Sequence, residues 1–252
     1  MESYFIIIFL VLGTVLGSFF NVVGMRLPQQ TSFITGRSSC PDCMNSLRWY
    51  ELIPIISYLY QRGKCTHCHV HLSRIYPFIE GATGILFVIS YFHHGLSLAI
   101  IPTLIFISFS MVIVVTDIMF LVVPNKLLLL FFLFFMIVRM FSPLHSFYDA
   151  LIGSLIGLLL IGLIIIVSKG GMGAGDMKLL AVLGLVVGTK NVLLTFFLAV
   201  CIGAIFGLLY MYQSNGNGSN KIPFAPFLII GAIISSFHGE YLLELYLSTL
   251  RE

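Results

Sequence analysis

The sequence predicts an all-α polytopic membrane protein, and two observations carry that prediction. Only 9% of its 252 residues are charged while 59% are hydrophobic. A soluble domain carries roughly 25% charged residues, and one of this size could not cover its surface with so few. The mean hydropathy of +1.05 agrees. Second, the apolar stretches are continuous and rich in Leu, Ile and Phe rather than alternating, which selects helices over a barrel. At about 20 residues per span, about eight transmembrane helices need about 160 residues, close to what the hydrophobic fraction supplies.

The spans fall near residues 4–25, 76–93, 97–116, 126–141, 148–167, 178–189, 191–212 and 222–238. The first is a permanent span rather than a cleaved signal peptide, because Glu2 replaces a basic leader and no small-residue cleavage site follows. The second begins after Arg74 and carries Glu80. The third is the run that ends Met111 to Thr116, with Asp117 immediately after it. The sixth is short, with only Leu179 to Val187 strongly apolar, so a seven-span or re-entrant arrangement stays open. A Gly/Asn/Ser patch, Ser214 to Asn220, reads as a flexible loop before the last span. No internal repeat and no low-complexity tail is visible.

Orientation follows from Lys and Arg. The 26–75 segment holds Arg26, Arg37, Arg48, Arg62, Lys64 and Arg74, six of thirteen basic residues, and is therefore expected in the cytoplasm. Eight spans place Lys126, Lys169, Lys178 and Lys221 on that side too, against Arg139, Lys190 and Arg251 on the other. Both termini then lie outside the cytoplasm.

The 26–75 loop is the one candidate for a separate domain. It holds Cys40-Pro41-Asp42-Cys43 and Cys65-Thr66-His67-Cys68, two C-x2-C pairs separated by 21 residues. Four thiolates in such pairs suit tetrahedral zinc, and a reducing cytoplasm disfavours disulfides. Redox-active pairs or incidental cysteines are the competing reading. A filled tetrahedron leaves no open position, so the metal reads as structural, folding a loop too small to bury its own core, with a catalytic zinc as the alternative. His67, His69 and His71 read as solvated loop histidines, with substitution for a thiolate as the alternative. Cys201 reads as packing within a span.

Carboxylates in membrane spans are expensive and each calls for a functional hypothesis. Asp117 closes the third span, and Asp176 sits in Gly170-Gly-Met-Gly-Ala-Gly-Asp-Met-Lys178 at the entrance to the sixth. The charge-derived topology puts both at the cytoplasmic face. Two neighbouring carboxylates share a proton, so one serves as general base on water while the other donates to a scissile carbonyl. Gly171, Gly173 and Gly175 let backbone approach a substrate or a neighbouring helix. Lys178 either holds Asp176 ionised or snorkels to headgroups. Against this stand an ion-pathway or helix-pairing role for the aspartates and an anion site at a helix N-terminus. A transporter or channel with a zinc-folded loop, and a non-catalytic assembly factor, are the corresponding alternatives. Glu80 is read as orienting a loop or a substrate amine, and Asp149 as interfacial near the outer face.

Five ordered motifs resemble the type IV prepilin peptidase family, the leader peptidase and N-methyltransferase of pilus, secretion and competence systems. They are Gly17-Ser-Phe-Phe-Asn-Val-Val-Gly-Met-Arg-Leu-Pro28, Leu47-Arg-Trp-Tyr-Glu-Leu-Ile-Pro-Ile-Ile-Ser-Tyr58, Arg74-Ile-Tyr-Pro-Phe-Ile-Glu80, Gly171-Met-Gly-Ala-Gly-Asp-Met-Lys-Leu179 and Ile222-Pro-Phe-Ala-Pro-Phe227. The resemblance covers nearly the whole chain. It implies an aspartyl-protease pair, Asp117 and Asp176, a zinc site at Cys40, Cys43, Cys65 and Cys68, and supporting roles for Gly173, Gly175, Lys178, Glu80 and Asn125. Two departures are visible: Val123-Pro124-Asn125 stands where the family often has Ile-Pro-Asp, and Ala225 stands in place of Gly.

The implied reaction removes a short basic leader, after Gly, from prepilin-like or pseudopilin precursors. N-methylation from S-adenosylmethionine is implied by resemblance alone, since no Gly-x-Gly-x-x-Gly appears. The implied organisation is a first transmembrane helix at 1–25, a cytoplasmic, methyltransferase-associated zinc-binding loop with its four cysteines at 26–75 and a transmembrane aspartyl peptidase core at 76–252. The expected location is a bacterial inner (plasma) membrane, with the active site facing the cytoplasm. The partners are the precursors and the lipid bilayer, and no nucleic acid is expected. The short single-chain build points towards a competence-type system.

Overall fold

The computed structural model describes residues 2–33, 36–40, 42–141, 146–213 and 222–249. The expected flexible patch Ser214 to Asn220, the charges Lys221 and Arg251, and Pro41 of the first cysteine pair lie outside the described residues. The chain is all-helical. In order come α1 (Glu2–Arg26), a 3-10 turn (Trp49–Leu52), α2 (Ile56–Tyr60), α3 (Ile75–His94), α4 (Ile100–Phe120), α5 (Asn125–Phe141), α6 (Phe147–Val167), α7 (Ala174–Val187), α8 (Thr189–Gln213) and α9 (Ala225–Thr249). The long helices stand where the apolar runs predict them. Among the described residues six helices, α1, α3, α4, α6, α8 and α9, are long and apolar enough to cross a membrane, making this a multi-pass protein. Helices α5 and α7 are shorter, at 17 and 14 residues.

Two compact units divide the chain, Met1–Phe120 and Leu121–Glu252. In the first, α1 packs on α3 and α4. Lipid tails are as apolar as leucine, so helices in a bilayer associate through close packing of small residues and through polar contacts. Gly13 and Gly17 supply the small face: a Cβ at Gly13 would stand 2.7 Å from the Gly84 Cα, and one at Gly17 2.8 Å from the Glu80 Cα. Gly24 does the same against Val115 of α4, at 2.5 Å. One turn beyond Gly17, the buried Asn21 Nδ2 donates to the Tyr76 carbonyl at 3.2 Å, pinning α1 to the start of α3.

In the second unit the central element is α7. Residues 179–185 are all buried, the pattern of a helix surrounded on every side. Small residues again set the approach: a Cβ at Gly157 of α6 would meet the Leu180 carbonyl oxygen at 2.5 Å, and Gly153 and Gly184 face each other backbone to backbone. Helices α8 and α9 are joined by the buried hydroxyls of Thr195 and Ser235, 2.6 Å apart.

Arg139 and Asp149, expected as outer-face charges, both serve the ends of helices. The Arg139 guanidinium donates from Nε to the Leu185 carbonyl at 3.1 Å and from Nη2 to the Val186 carbonyl, covering the last carbonyls of α7. Asp149 Oδ2 accepts the Thr189 backbone N–H at 3.4 Å, and Thr189 Oγ1 returns a bond to the Asp149 carbonyl at 3.0 Å. Each satisfies a backbone group that a helix terminus leaves without an intrahelical partner. Asp149 is therefore a half-buried tie between α6 and the start of α8. Between α7 and α8 the chain turns at Gly188, whose φ of +83° lies in the region that favours glycine.

Candidate metal centre and carboxylate sites

The cysteine loop folds as two copies of one turn. Backbone bonds run from Cys40 N to Asn45 O, Met44 N to Cys40 O and Leu47 N to Ser38 O. The same three recur from Cys65 N to Val70 O, His69 N to Cys65 O and Leu72 N to Gly63 O, each shifted by 25 residues. Met44 and His69 share a positive φ, 56° and 58°. A bridge closes each turn, Ser39 with Ser46 and Lys64 with His71. This corrects the expectation of no internal repeat. Only the cysteines and a leucine coincide between the copies, too little for sequence inspection to register.

The two turns bring Cys40, Cys43, Cys65 and Cys68 together, with all four sulfurs within 4.8 Å of one another. Two pairs cross between the copies: Cys40 to Cys68 at 3.8 Å and Cys43 to Cys65 at 4.0 Å. Zn–S bonds of about 2.3 Å in a tetrahedron require S···S edges of about 3.8 Å. The donor set and its spacing fit a metal ion of that kind. The Cys68 and His67 N–H groups donate to the Cys65 sulfur and lower its pKa to about 7. The Val70 N–H lowers Cys68 in the same manner, but burial and the neighbouring thiols outweigh it and push that thiol up to about 12. Four thiols this close resist shedding their protons together, and a dication removes that resistance. His67, His69 and His71 are exposed, as expected for solvated loop side chains.

Glu51 anchors the loop. Its Oε2 accepts the Arg48 N–H at 2.7 Å and its Oε1 accepts the Thr66 hydroxyl at 2.5 Å, tying the 3-10 turn to the second cysteine pair. These donors hold the Glu51 carboxyl below its ordinary range. Glu80, buried in α3, reaches the loop as well: its Oε2 accepts the Ile55 N–H at 2.7 Å. Ile55 has φ of +62°, a costly conformation for a β-branched residue, so Glu80 holds a strained turn in place. That bond sets Glu80 against the loop.

Asp117 belongs to the first unit. It is 5% exposed, the last of nine consecutive buried residues from Phe109, and α4 continues past it to Phe120. Asp176 belongs to the second unit and is half-buried in the first turn of α7. The helix begins four residues before the expected 178, because Gly173 takes the extended N-cap conformation and helical geometry starts at Ala174. A carboxylate in a first turn is favoured by the helix dipole. Gly173 leaves room for it: a Cβ there would stand 3.2 Å from Asp176 Oδ2. Gly175 makes room for Val123, 3.2 Å from its would-be Cβ. Lys178 donates from Nζ to Asn125 Oδ1 at 2.9 Å, joining two supporting residues and linking α7 to the start of α5. Cys201 is half-buried within α8.

Sequence reasoning did not single out Asn21, Gly13, Gly153 and Gly157. The i, i+4 glycine spacing at 13/17 and 153/157 is the signal that would have found the packing faces.

Residues 11–94 match the bacterial peptidase A24 N-terminal domain, and residues 104–208 match the type IV leader peptidase family. A prepilin leader peptidase/N-methyltransferase of Bacillus subtilis (strain 168) is 39% identical over 95% of this chain and 97% of that protein. A protein of the same description from Stutzerimonas stutzeri is 31% identical over 98% of this chain and 95% of its own length. A third, from Myxococcus xanthus (strain DK1622), is 31% identical over 85% of this chain and 65% of its own. No solved structure matches the chain.

Proposed function

The chain belongs to the type IV leader peptidase family, and from that premise we propose that it is a bifunctional prepilin peptidase and N-methyltransferase. It removes the short basic leader of prepilin-like or pseudopilin precursors after Gly, as an aspartyl endopeptidase. The observation that carries the aspartyl reading is the placement of two carboxylates at helix ends. Asp117 is buried near the end of α4 and Asp176 sits in the glycine-framed first turn of α7, in a chain with ten acidic residues. One carboxylate takes a proton from water, whose oxygen attacks the scissile carbonyl, and the other, protonated, donates to the carbonyl oxygen. Eight helices then cross the bacterial inner membrane. Both aspartates face the cytoplasm, where the precursor's leader remains while its apolar helix stays in the bilayer.

In this reading residues 1–25 are the first span, 26–75 the zinc-folded loop and 76–252 the peptidase core. Cys40, Cys43, Cys65 and Cys68 hold Zn2+, which supplies folding energy to the loop. Gly173, Gly175, Lys178 and Asn125 frame the end of α7, and Glu80 holds the loop against α3. The new N-terminus is methylated from S-adenosylmethionine, the activity the relatives' names carry.

The test is cleavage of a co-expressed pilin-like precursor by the wild type, Asp117→Asn and Asp176→Asn, resolved by mass. Both variants are expected to leave the leader attached, and full processing by either would refute the two-aspartate mechanism.

A further inference from the structure

The stretch between the two cysteine pairs folds into the 3-10 turn and α2, and α2 is inside out. Ser57 and Tyr58 turn inward to line a cavity under the loop, as does Gln61 just after the helix. The Tyr58 hydroxyl donates there to the Leu72 carbonyl at 3.3 Å. Ile56, Leu59 and Tyr60 point the other way, 64%, 68% and 90% exposed. Their i, i+3, i+4 spacing puts them on one helical face. Trp49 in the preceding turn is 78% exposed. A helix at a water-facing surface buries its apolar face and shows its polar one. The reverse arrangement marks a contact with a protein or a membrane.

Two observations put lipid against that face. The first is depth. Ile55, the residue that precedes α2, donates its N–H to Glu80 and lies beside Gly81, whose would-be Cβ stands 3.8 Å from Ile55 Cδ1. Glu80 lies five residues along α3 from Ile75, about 7.5 Å at about 1.5 Å per residue. Helix α3 is among those able to cross a bilayer. The start of α2 is therefore held alongside the first turns of a span, at the level of headgroups and upper acyl chains. The second observation is charge. Between residues 48 and 64 the basic Arg48, Arg62 and Lys64 are exposed, while the one carboxylate, Glu51, is buried and bonded to Arg48 and Thr66. Aromatic and aliphatic side chains flanked by cations compose a segment that lies in a phospholipid interface, and Trp and Tyr concentrate at that level.

We propose that residues 49–60 form an interfacial anchor, with the outward face of α2 seated at the headgroup–acyl boundary of a phospholipid leaflet. The loop that carries the four cysteines is then tied to the membrane at the end of α1, at the start of α3 and midway between the two cysteine pairs. This anchoring is independent of the peptidase and methyl-transfer chemistry given above.

Trp49 is the sole tryptophan of the chain and so an intrinsic probe of its surroundings. The full-length chain is reconstituted into vesicles of phosphatidylcholine and phosphatidylglycerol. Its fluorescence is quenched either by iodide on both sides of the membrane or by lipids brominated near the headgroup end of the acyl chain. A second chain, Trp49→Phe with Tyr60→Trp, moves the probe into α2. Bromolipid is expected to quench both probes strongly and iodide only weakly. Ile56→Ser with Leu59→Ser is expected to lose most of the bromolipid quenching and to gain iodide quenching, with its thermal melt reporting whether it is folded. Should that pair unfold, the two probes in chains with an intact Ile56 and Leu59 still decide. Iodide quenching of either probe without bromolipid quenching would overturn the proposal. Iodide quenching that disappears only when a pilin-like precursor is added would overturn it as well and assign the face to a protein partner.

Discussion

Replacing Gly157 by Ala puts one methyl group where the structure has none to spare. The new Cβ would lie 2.5 Å from the Leu180 carbonyl oxygen, against an ordinary contact of 3.4 Å or more. Helices α6 and α7 must therefore part by about 0.9 Å locally, because the obstacle is helix backbone rather than a movable side chain. A radial gap of that order forfeits a quarter to a half of the dispersion energy of each contact, and overpacking of this kind costs about 1–3 kcal/mol. Gly162, five residues along the same helix, is the control: its Cβ would meet Met177 Sδ at 3.5 Å, an ordinary contact. Both substitutions gain the same helix propensity, about 0.5–1 kcal/mol, so the difference between the two variants isolates the packing cost. Unfolding in mixed micelles with increasing sodium dodecyl sulfate, followed by far-ultraviolet circular dichroism, is expected to place Gly157→Ala about 1–3 kcal/mol below Gly162→Ala. Precursor cleavage should fall only in Gly157→Ala, since Leu180 lies one turn from Asp176. Equal stability of the two variants would refute backbone contact as the basis of α6–α7 packing.

The metal centre predicts about one zinc per chain by elemental analysis, lost in Cys40→Ser and in Cys68→Ser; a folded, active preparation without metal would contradict it. Glu51 gives a pH signature. Its carboxyl is held below its ordinary pKa, so its contribution is present above the unfolded value, about 4.3, and fades as pH falls through the lower folded value. The stability gap between wild type and Glu51→Gln should stay constant from pH 7 to about 5 and close below the unfolded value, and a gap that widens on acidification would reverse the assignment. Arg139→Leu strands the Leu185 and Val186 carbonyls and is expected to cost about 2–6 kcal/mol at about 1–3 per unsatisfied group. Arg139→Lys should recover part of that loss in the same micelle assay.

The helices were legible because a bilayer demands apolar runs, and no tertiary context is needed to read a run such as Met111 to Thr116. The cysteine site was legible for a similar reason: two C-x2-C pairs carry their geometry locally. Asp117 and Asp176 stood out because carboxylates are so scarce here. What escaped were features whose meaning lies in a distant partner. Gly157 matters because Leu180 is opposite it, Asn21 because Tyr76 accepts one half of its amide and nothing donates to the other, and Glu80 because Ile55 sits in a strained turn 25 residues away. The start of α7 was placed late because only Leu179 to Val187 is strongly apolar, whereas the helix takes in the glycine-framed residues from Ala174 onward, which hydropathy does not reveal.

At 14 residues, α7 rises only about 21 Å, while the hydrocarbon core of a bilayer is about 30 Å thick. If the Asp176 end meets one face of the membrane, the other end stops about 9 Å short, and Arg139 is what makes that stop tolerable by covering carbonyls that no water would reach. Lipid does not meet that shortfall, because α7 is enclosed by α5, α6, α8 and α9. The element that carries a proposed catalytic group therefore ends inside the protein, on a guanidinium, with the longer α6, α8 and α9 standing between it and the acyl chains. Its length is set by the bundle around it rather than by the thickness of the membrane.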